Sequence, residues 1–177
     1  QTFRDFFSDI YFFRLLRNTL MISAGNLIFG FPVPIILALL LNEVKSPKYK
    51  KFVQTASYLP HFVSLVVICG LIIEFVAKDG LINNIIAFFG GQRVSMLLLP
   101  DYFRPVYIIS DIWQSMGWNS IIYLAALAGV DQALYEAAEI DGARRFKKMV
   151  HITLPGIAPT IILMLILRIG NVMSVGY

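Results

Sequence analysis

Charge is scarce in this chain. Only 15% of its 177 residues are Asp, Glu, Lys or Arg, against about a quarter in an ordinary soluble domain. With 58% hydrophobic residues and a mean hydropathy of +0.72, that scarcity excludes a free-standing soluble domain and predicts an integral membrane protein. Cysteine is nearly missing. Cys69 stands alone inside an apolar run, so no internal disulfide can form and no paired-ligand metal site is indicated. The two histidines, His61 and His151, are far apart without ligand spacing and are read as structural. There is no Walker-type glycine-lysine loop, so the chain cannot supply its own ATP site. No nucleophile–base pair or metal cluster lies in the apolar runs, which argues against a membrane protease or transferase. No internal repeat, low-complexity segment, soluble domain or linker interrupts it. The net charge of +4 is modest and its basic residues are scattered among apolar runs, which suits anionic lipid headgroups rather than nucleic acid.

What is present is a succession of apolar stretches, read as one all-α membrane domain over residues 1–177, a polytopic transmembrane helix bundle. In residues 1–17, Phe3, Phe6, Phe7, Ile10, Phe13 and Leu16 recur at helical spacing, with Arg4, Asp5, Asp9 and Arg14 between them. That predicts an amphipathic helix on the membrane surface, its aromatics at headgroup level. The first span is expected over 19–41, about 23 residues and about 34 Å as a helix, although Gly25, Gly30, Pro32 and Pro34 interrupt it. A loop with Lys45, Lys48, Lys50 and Lys51 follows, dense enough in charge to argue for the cytoplasmic side. The second span is expected over 52–76, with Pro60 near its start and Glu74 near its outer end. Residues 77–104 form an outer segment whose patch LINNIIAFFG is too short to cross and rests at the interface. The third span is expected over 105–129 and the fourth over 156–176. The chain begins in mid-pattern and ends abruptly at Tyr177, so flanking helices are expected beyond both ends.

Between the last two spans lies the one long segment that is both charged and regular, 131–155, DQALYEAAEIDGARRFKKMVHITLP. Asp131 suits an N-cap, and 132–141 are good helix formers. Gly142 suits a position of positive φ after the helix. A second, basic helix over 143–152 carries Arg144, Arg145, Lys147 and Lys148 and is expected to stop at Pro155. An ordinary amphipathic hairpin would also satisfy these signals. The spacing adds more. Glu136-Ala137-Ala138 is followed after three residues by Gly142, and after nine more by Ile152-x-Leu154-Pro155. This resembles the EAA signature of the permease subunits of binding-protein-dependent ABC importers. The resemblance implies a type I importer permease fold with a cytoplasmic coupling helix that docks on a separate ATPase. It implies a role for Glu136, Ala137, Ala138, Glu139, Asp141 and Gly142 in that docking. The residue types agree: small Ala137 and Ala138 let a partner surface approach the backbone, Glu136 and Glu139 offer charge, and Gly142 turns the chain back to the bilayer. Orientation follows from this motif, because the excess of Lys and Arg on the inner side is slight.

The third span carries a polar stripe. Asp111, Gln114, Ser115 and Trp118 follow i, i+3, i+4, i+7 spacing and share one helix face, with Asn119 at its edge. Such a face looks into a bundle interior or a water-filled path. It suits a sugar, offering an aromatic plate for C–H faces and amides and a carboxylate for hydroxyls. A polar seam between helices is the alternative. Arg168 lies deep in the fourth span, about 18 Å above its inner end, and Asp111 about 9 Å below the outer end of the third. In a core of about 30 Å those depths nearly coincide. Asp111 and Arg168 are therefore expected to pair across the bundle, as a structural ion pair or as a border of the substrate path.

Within the family, the chain looks most like the sugar permeases related to the maltose transporter, and HITLPGIAPTIILMLILRIGNVMSVGY like the polysaccharide subgroup with alginate-type oligosaccharides. The resemblance implies residence in the bacterial cytoplasmic membrane. It implies a second permease subunit, usually making a heterodimer, two ATPase subunits that bind ATP and Mg, and an extracytoplasmic solute-binding protein. No cofactor is expected in the chain itself. A permease for a non-sugar solute and an ion-coupled secondary carrier are the competing readings.

Overall fold

The computed structural model describes residues 10–172, which fold entirely as helices and connections; the first part of the expected surface helix lies outside them. The helices are α1 (Ile10–Gly25), α2 (Pro32–Glu43), α3 (Pro47–Phe62), α4 (Leu65–Val76), α5 (Leu81–Phe88), α6 (Pro100–Ala128), α7 (Gln132–Ile140), α8 (Arg145–Lys148) and α9 (Leu154–Gly170). Two five-residue π-helical segments, Asn26–Gly30 and Met149–Thr153, join α1 to α2 and α8 to α9.

Both π segments stand just ahead of prolines, Pro32 and Pro34 in one case and Pro155 in the other. A proline inside an α-helix lacks the N–H that its i−4 carbonyl needs and clashes with that carbonyl. Widening the preceding turn relieves both problems, and the helix goes on. Pro155 therefore does not stop the basic helix as its position in the sequence suggests. Leu154 N–H reaches back to Met149 O, and 145–170 runs as one helix of 26 residues. Likewise Tyr11–Glu43 is one helix of 33 residues that passes through the boundary expected near residue 18.

The second expected span is not one helix. Pro60 ends α3, Val63 N–H closes on Pro60 O at 3.4 Å, and α4 restarts after Ser64. α3 and the run from Leu65 meet at 103°. The lysine loop also shrinks. Only Val44–Ser46 connect α2 to α3, and Ser46 caps α3 by accepting from Tyr49 N–H at 3.4 Å. Lys48, Lys50 and Lys51 thus sit on the opening turns of a helix. By length and hydropathy, two helices can cross a membrane unaided, and four crossings result if each bent pair counts as one.

α6 is the axis on which α2, α3 and α9 pack. The core joins Ile35 and Ala38 of α2 to Tyr123 and Leu127 of α6, Val130, and Ile157 of α9. α3 comes closest: a Cβ on Gly117 of α6 would overlap the backbone carbonyl of Ser57. Much of the remaining surface is apolar. Leu163, Ile166, Leu167 and Ile169 of α9 are all exposed, a surface for lipid or for other helices rather than for water. Between α4 and α6, buried Asn83 ties the connection together. Its amide donates to Ala77 O at 2.8 Å and Val94 O at 2.9 Å, and its carbonyl accepts from Val94 N–H at 3.1 Å.

Gly117→Ala should destabilise the protein by about 1–3 kcal/mol, because backbone cannot move aside. Gly70→Ala, where a Cβ meets nothing within 4 Å, should be neutral or slightly stabilising. Thermal unfolding in detergent, followed by size-exclusion chromatography, compares the two; equal midpoints would refute the close-packing account.

Candidate coupling helix and transmembrane polar cluster

The loop after α6 is built as its sequence dictates. Asp131 Oδ1 accepts from Ala133 N–H at 2.9 Å and caps α7. At the far end Gly142 has φ +71°, Gly142 N–H donates to Glu139 O at 3.0 Å and Ala143 N–H to Ala138 O at 2.8 Å. That pair of bonds is a Schellman cap, and it requires a left-handed residue at position 142. A Cβ there would meet nothing within 4 Å, so backbone conformation alone demands the glycine. Asp141 is the C-cap, one residue beyond the helix.

Glu136, Ala137, Glu139, Asp141 and Gly142 are exposed and Ala138 is half-buried. Leu134, Ile140 and Phe146 stand open beside them, Ile140 at 88% exposure. Two contacts absent from the sequence reading fix α7 to the last long helix. Tyr135 Oη and Thr153 Oγ1 share a hydrogen bond of 2.9 Å, and Lys148 Nζ pairs with Glu139 Oε2 at 3.4 Å. Thr153 belongs to the π segment and is buried. Glu139, expected to offer its charge outward, is thus partly engaged within the chain.

Higher in the bundle, Asp111 and Arg168 come together. Arg168 Nη2 lies 4.0 Å from Asp111 Oδ2 and donates to Asn26 O at 3.4 Å. Gly30 makes room, since a Cβ there would lie 3.0 Å from the same Nη2. Asn26, which opens the first π segment, is buried, and its Oδ1 has no hydrogen-bond partner among the described residues. Asn119 joins Arg168, Tyr123 and Asn171 around a cavity of about 180 Å³. Gln114 and Ser115 are half-buried, and Ser115 Oγ bonds back to Asp111 O at 2.7 Å. Trp118 is taken up elsewhere. It stacks on His61 at 4.7 Å and 6° and meets Phe62 edge-on at 5.6 Å, at the elbow between α3 and α4. The sequence reading missed Asn26 and, while taking His61 as structural, did not foresee its stacking on Trp118. Asn26 is a polar residue deep in an apolar run, the same signal that singled out Arg168. His61 carries no such signal, because its stacking on Trp118 depends on how α3 packs against α6.

The long broken and unbroken helices, the capped loop helix and the buried polar cluster define a polytopic helical membrane component. Residues 30–174 match the family described as the binding-protein-dependent transport system inner membrane component. The chain belongs to that family. It is 51% identical over 176 residues to protein LplB of Bacillus subtilis (strain 168), covering 99% of this chain and 55% of LplB. It is 52% identical over 172 residues to the polygalacturonan/rhamnogalacturonan transport system permease protein YteP of the same organism, covering 97% and 54%. Among solved structures, a chain of a bacterial ABC transporter that imports the acidic polysaccharide alginate superposes with a TM-score of 0.94. The identity is 47%, over 98% of this chain and 61% of that one. The chain therefore spans little more than half the length of these curated relatives.

Asp111 and Arg168 should couple in a double-mutant cycle. Arg168→Met alone, which strands the Asp111 carboxylate, should lower stability more than Asp111→Asn and Arg168→Met together. Additive losses in detergent unfolding would show that the two do not interact.

Proposed function

We propose that this chain is the transmembrane subunit of an ATP-driven importer for a sugar, an oligosaccharide or a fragment of a polysaccharide. The observation that carries the reading is the 131–155 loop, with its short capped helix, open apolar side chains and anchor to the last long helix. That is the geometry expected of an element that docks on another protein and moves a membrane helix. Family membership supports the binding-protein-dependent mode. The relatives named for polygalacturonan/rhamnogalacturonan and alginate transport support a saccharide cargo.

In this reading Glu136, Ala137, Ala138, Glu139, Asp141 and Gly142 form the contact with an ATPase subunit. Leu134, Ile140 and Phe146 supply the apolar area of that contact. ATP and Mg bind on two ATPase subunits, and this chain contributes no catalytic residue. A second permease subunit, making a heterodimer, covers part of the exposed apolar surface, and lipid covers the rest. An extracytoplasmic binding protein delivers cargo; the solved alginate transporter has been seen with its periplasmic protein carrying an alginate pentasaccharide. The assembly sits in the bacterial cytoplasmic membrane as a multi-pass protein. Asp111, Gln114, Ser115, Asn119 and Arg168 border the cargo path, with Trp118 offering an aromatic face at the elbow.

The anchors give the coupling a physical route. Movement of α7 pulls on Thr153 through Tyr135 and on Lys148 through Glu139. Both residues lie at or beside the π segment that feeds α9. An ATPase-driven shift at the loop is thereby applied to the helix that carries Arg168.

Gly142 tests the reading. In the full-length permease reconstituted with its ATPase and binding protein, Gly142→Val forces a β-branched residue into left-handed backbone, at a cost of about 1–2 kcal/mol. Cargo-stimulated ATP hydrolysis should fall about ten-fold or more while the complex still assembles. Gly142→Asn, which tolerates that conformation, should keep most of it. Wild-type hydrolysis in the valine variant would overturn the coupling role.

A further inference from the structure

Three arginines converge near the beginning of α1 and of α6. Arg14 and Arg17 stand about one turn apart on α1, and Arg104 lies in the second turn of α6. With Tyr11, Asn18 and Phe103 they line an open cavity of about 550 Å³. Arg104 is held in place, its Nε donating to Asn18 Oδ1 at 2.9 Å. Its terminal amines, and the guanidinium groups of Arg14 and Arg17, have no acceptor among the described residues. Among the described residues, no acidic side chain lines the cavity.

Two arguments point to a soluble anion as what balances this charge. The first is depth. The apolar run of the first long helix ends inward at Leu41, before Asn42 and Glu43. About 20 residues cross the hydrocarbon core, which puts its outer limit near Ile22. At about 1.5 Å per residue, Arg17 then stands about 7 Å and Arg14 about 12 Å beyond that limit. The headgroup layer is only about 5–8 Å deep on each side. Arg14 thus reaches through the headgroups into water.

The second argument is charge placement. Lys and Arg gather on the cytoplasmic side of membrane proteins, so unpaired arginines on the opposite side go against the trend. Arg93, also on that side, is matched by Asp79 at 2.9 Å. The cavity arginines are not matched.

The ligand class follows from the donors. Guanidinium groups pair bidentately with carboxylates, and arginine sheds its hydration more readily than lysine does. Phe103 offers an aromatic face for the C–H surface of a sugar ring. A neutral sugar would leave three positive charges unbalanced. The volume falls within the range of about 300–1,000 Å³ usual for small-molecule sites. We infer that this cavity is an entry site for an acidic oligosaccharide, whose uronate carboxylates pair with Arg14, Arg17 and Arg104 before the cargo moves inward. The inference rests on the sugar-import reading and adds the place where an acidic cargo would first bind.

Direct binding to the full-length complex in phosphatidylcholine nanodiscs, without binding protein, tests it. The probes are trigalacturonate and its neutral methyl ester. The acid should bind about ten-fold or more tightly than the ester, and less tightly as salt rises. Arg14→Gln with Arg17→Gln should bring the acid down to the ester's level. Arg14→Lys with Arg17→Lys, which keeps the charge and serves if the first pair fails to assemble, should leave an intermediate affinity. Equal affinity for acid and ester in the wild type would overturn the inference, as would undiminished acid binding in the glutamine variant. Loss of acid binding in phosphatidylglycerol nanodiscs would reassign the cavity to lipid headgroups. If the binding protein, saturated with either probe, stimulates hydrolysis only while these arginines are present, they would be a docking patch for that protein. A complex that hydrolyses ATP in response to a neutral oligosaccharide but binds no uronate would sink this inference and leave sugar import standing. No response to any sugar would sink both.

Discussion

Backbone polar groups buried in hydrocarbon must find partners within the protein, and prolines make that hard to satisfy. This chain places Pro32, Pro34 and Pro155 inside two of its long helices and sets a π-helical segment ahead of them. The polar contacts at those turns are not incidental. The carbonyl of Asn26, where the first π segment begins, accepts from Arg168. Lys148 O, just before the second, accepts from Thr153 Oγ1 at 3.4 Å, and Thr153 in turn meets Tyr135. Two of the places where helices carry polar links across the bundle therefore coincide with the π segments that precede prolines. π turns inside longer helices are frequently found at functional sites, and the chemistry here supplies a reason.

The sequence was most legible where a signal is local. Asp131 and Gly142 are capping residues whose roles depend on a few neighbouring backbone groups, and both roles are as read. Asp111 and Arg168 were placed at one depth by counting residues along two helices, and the side chains do approach to 4.0 Å. The legibility failed where an outcome depends on tertiary context. A proline's effect cannot be read from the proline alone. Pro60 lies in a helix that ends two residues later, at Phe62, while Pro155 lies in one that runs on to Gly170. Trp118 shows the same limit. Its spacing puts it in register with Asp111, but its ring meets His61 and Phe62, one turn along α3 from the close contact of Ser57 with Gly117.

The molecule divides its polar resources by depth. The loop at 131–155 is charged and open, the middle of the bundle holds a few polar side chains around one guanidinium, and the far end gathers three more. Between these layers the surface is apolar and exposed, which fits a subunit whose stability depends on lipid and neighbouring helices. α6 links the layers. It carries Arg104 near its start, Asp111 and Asn119 along its length, and at its end the turn into α7. Close contact at Gly117 holds α3 against it, so the elbow and the axis are set as one unit.

Asn83 has a consequence for any encounter at the connection between α4 and α6. One buried amide clasps both ends of the excursion between α4 and α6, drawing 76–77 and 94 together. A segment that might have been a loose tether is thereby shaped before anything arrives. A visiting protein meets a surface already ordered and spends little of its interaction free energy on restricting chain entropy. One side chain thus sets how fast and how selectively that face can be read.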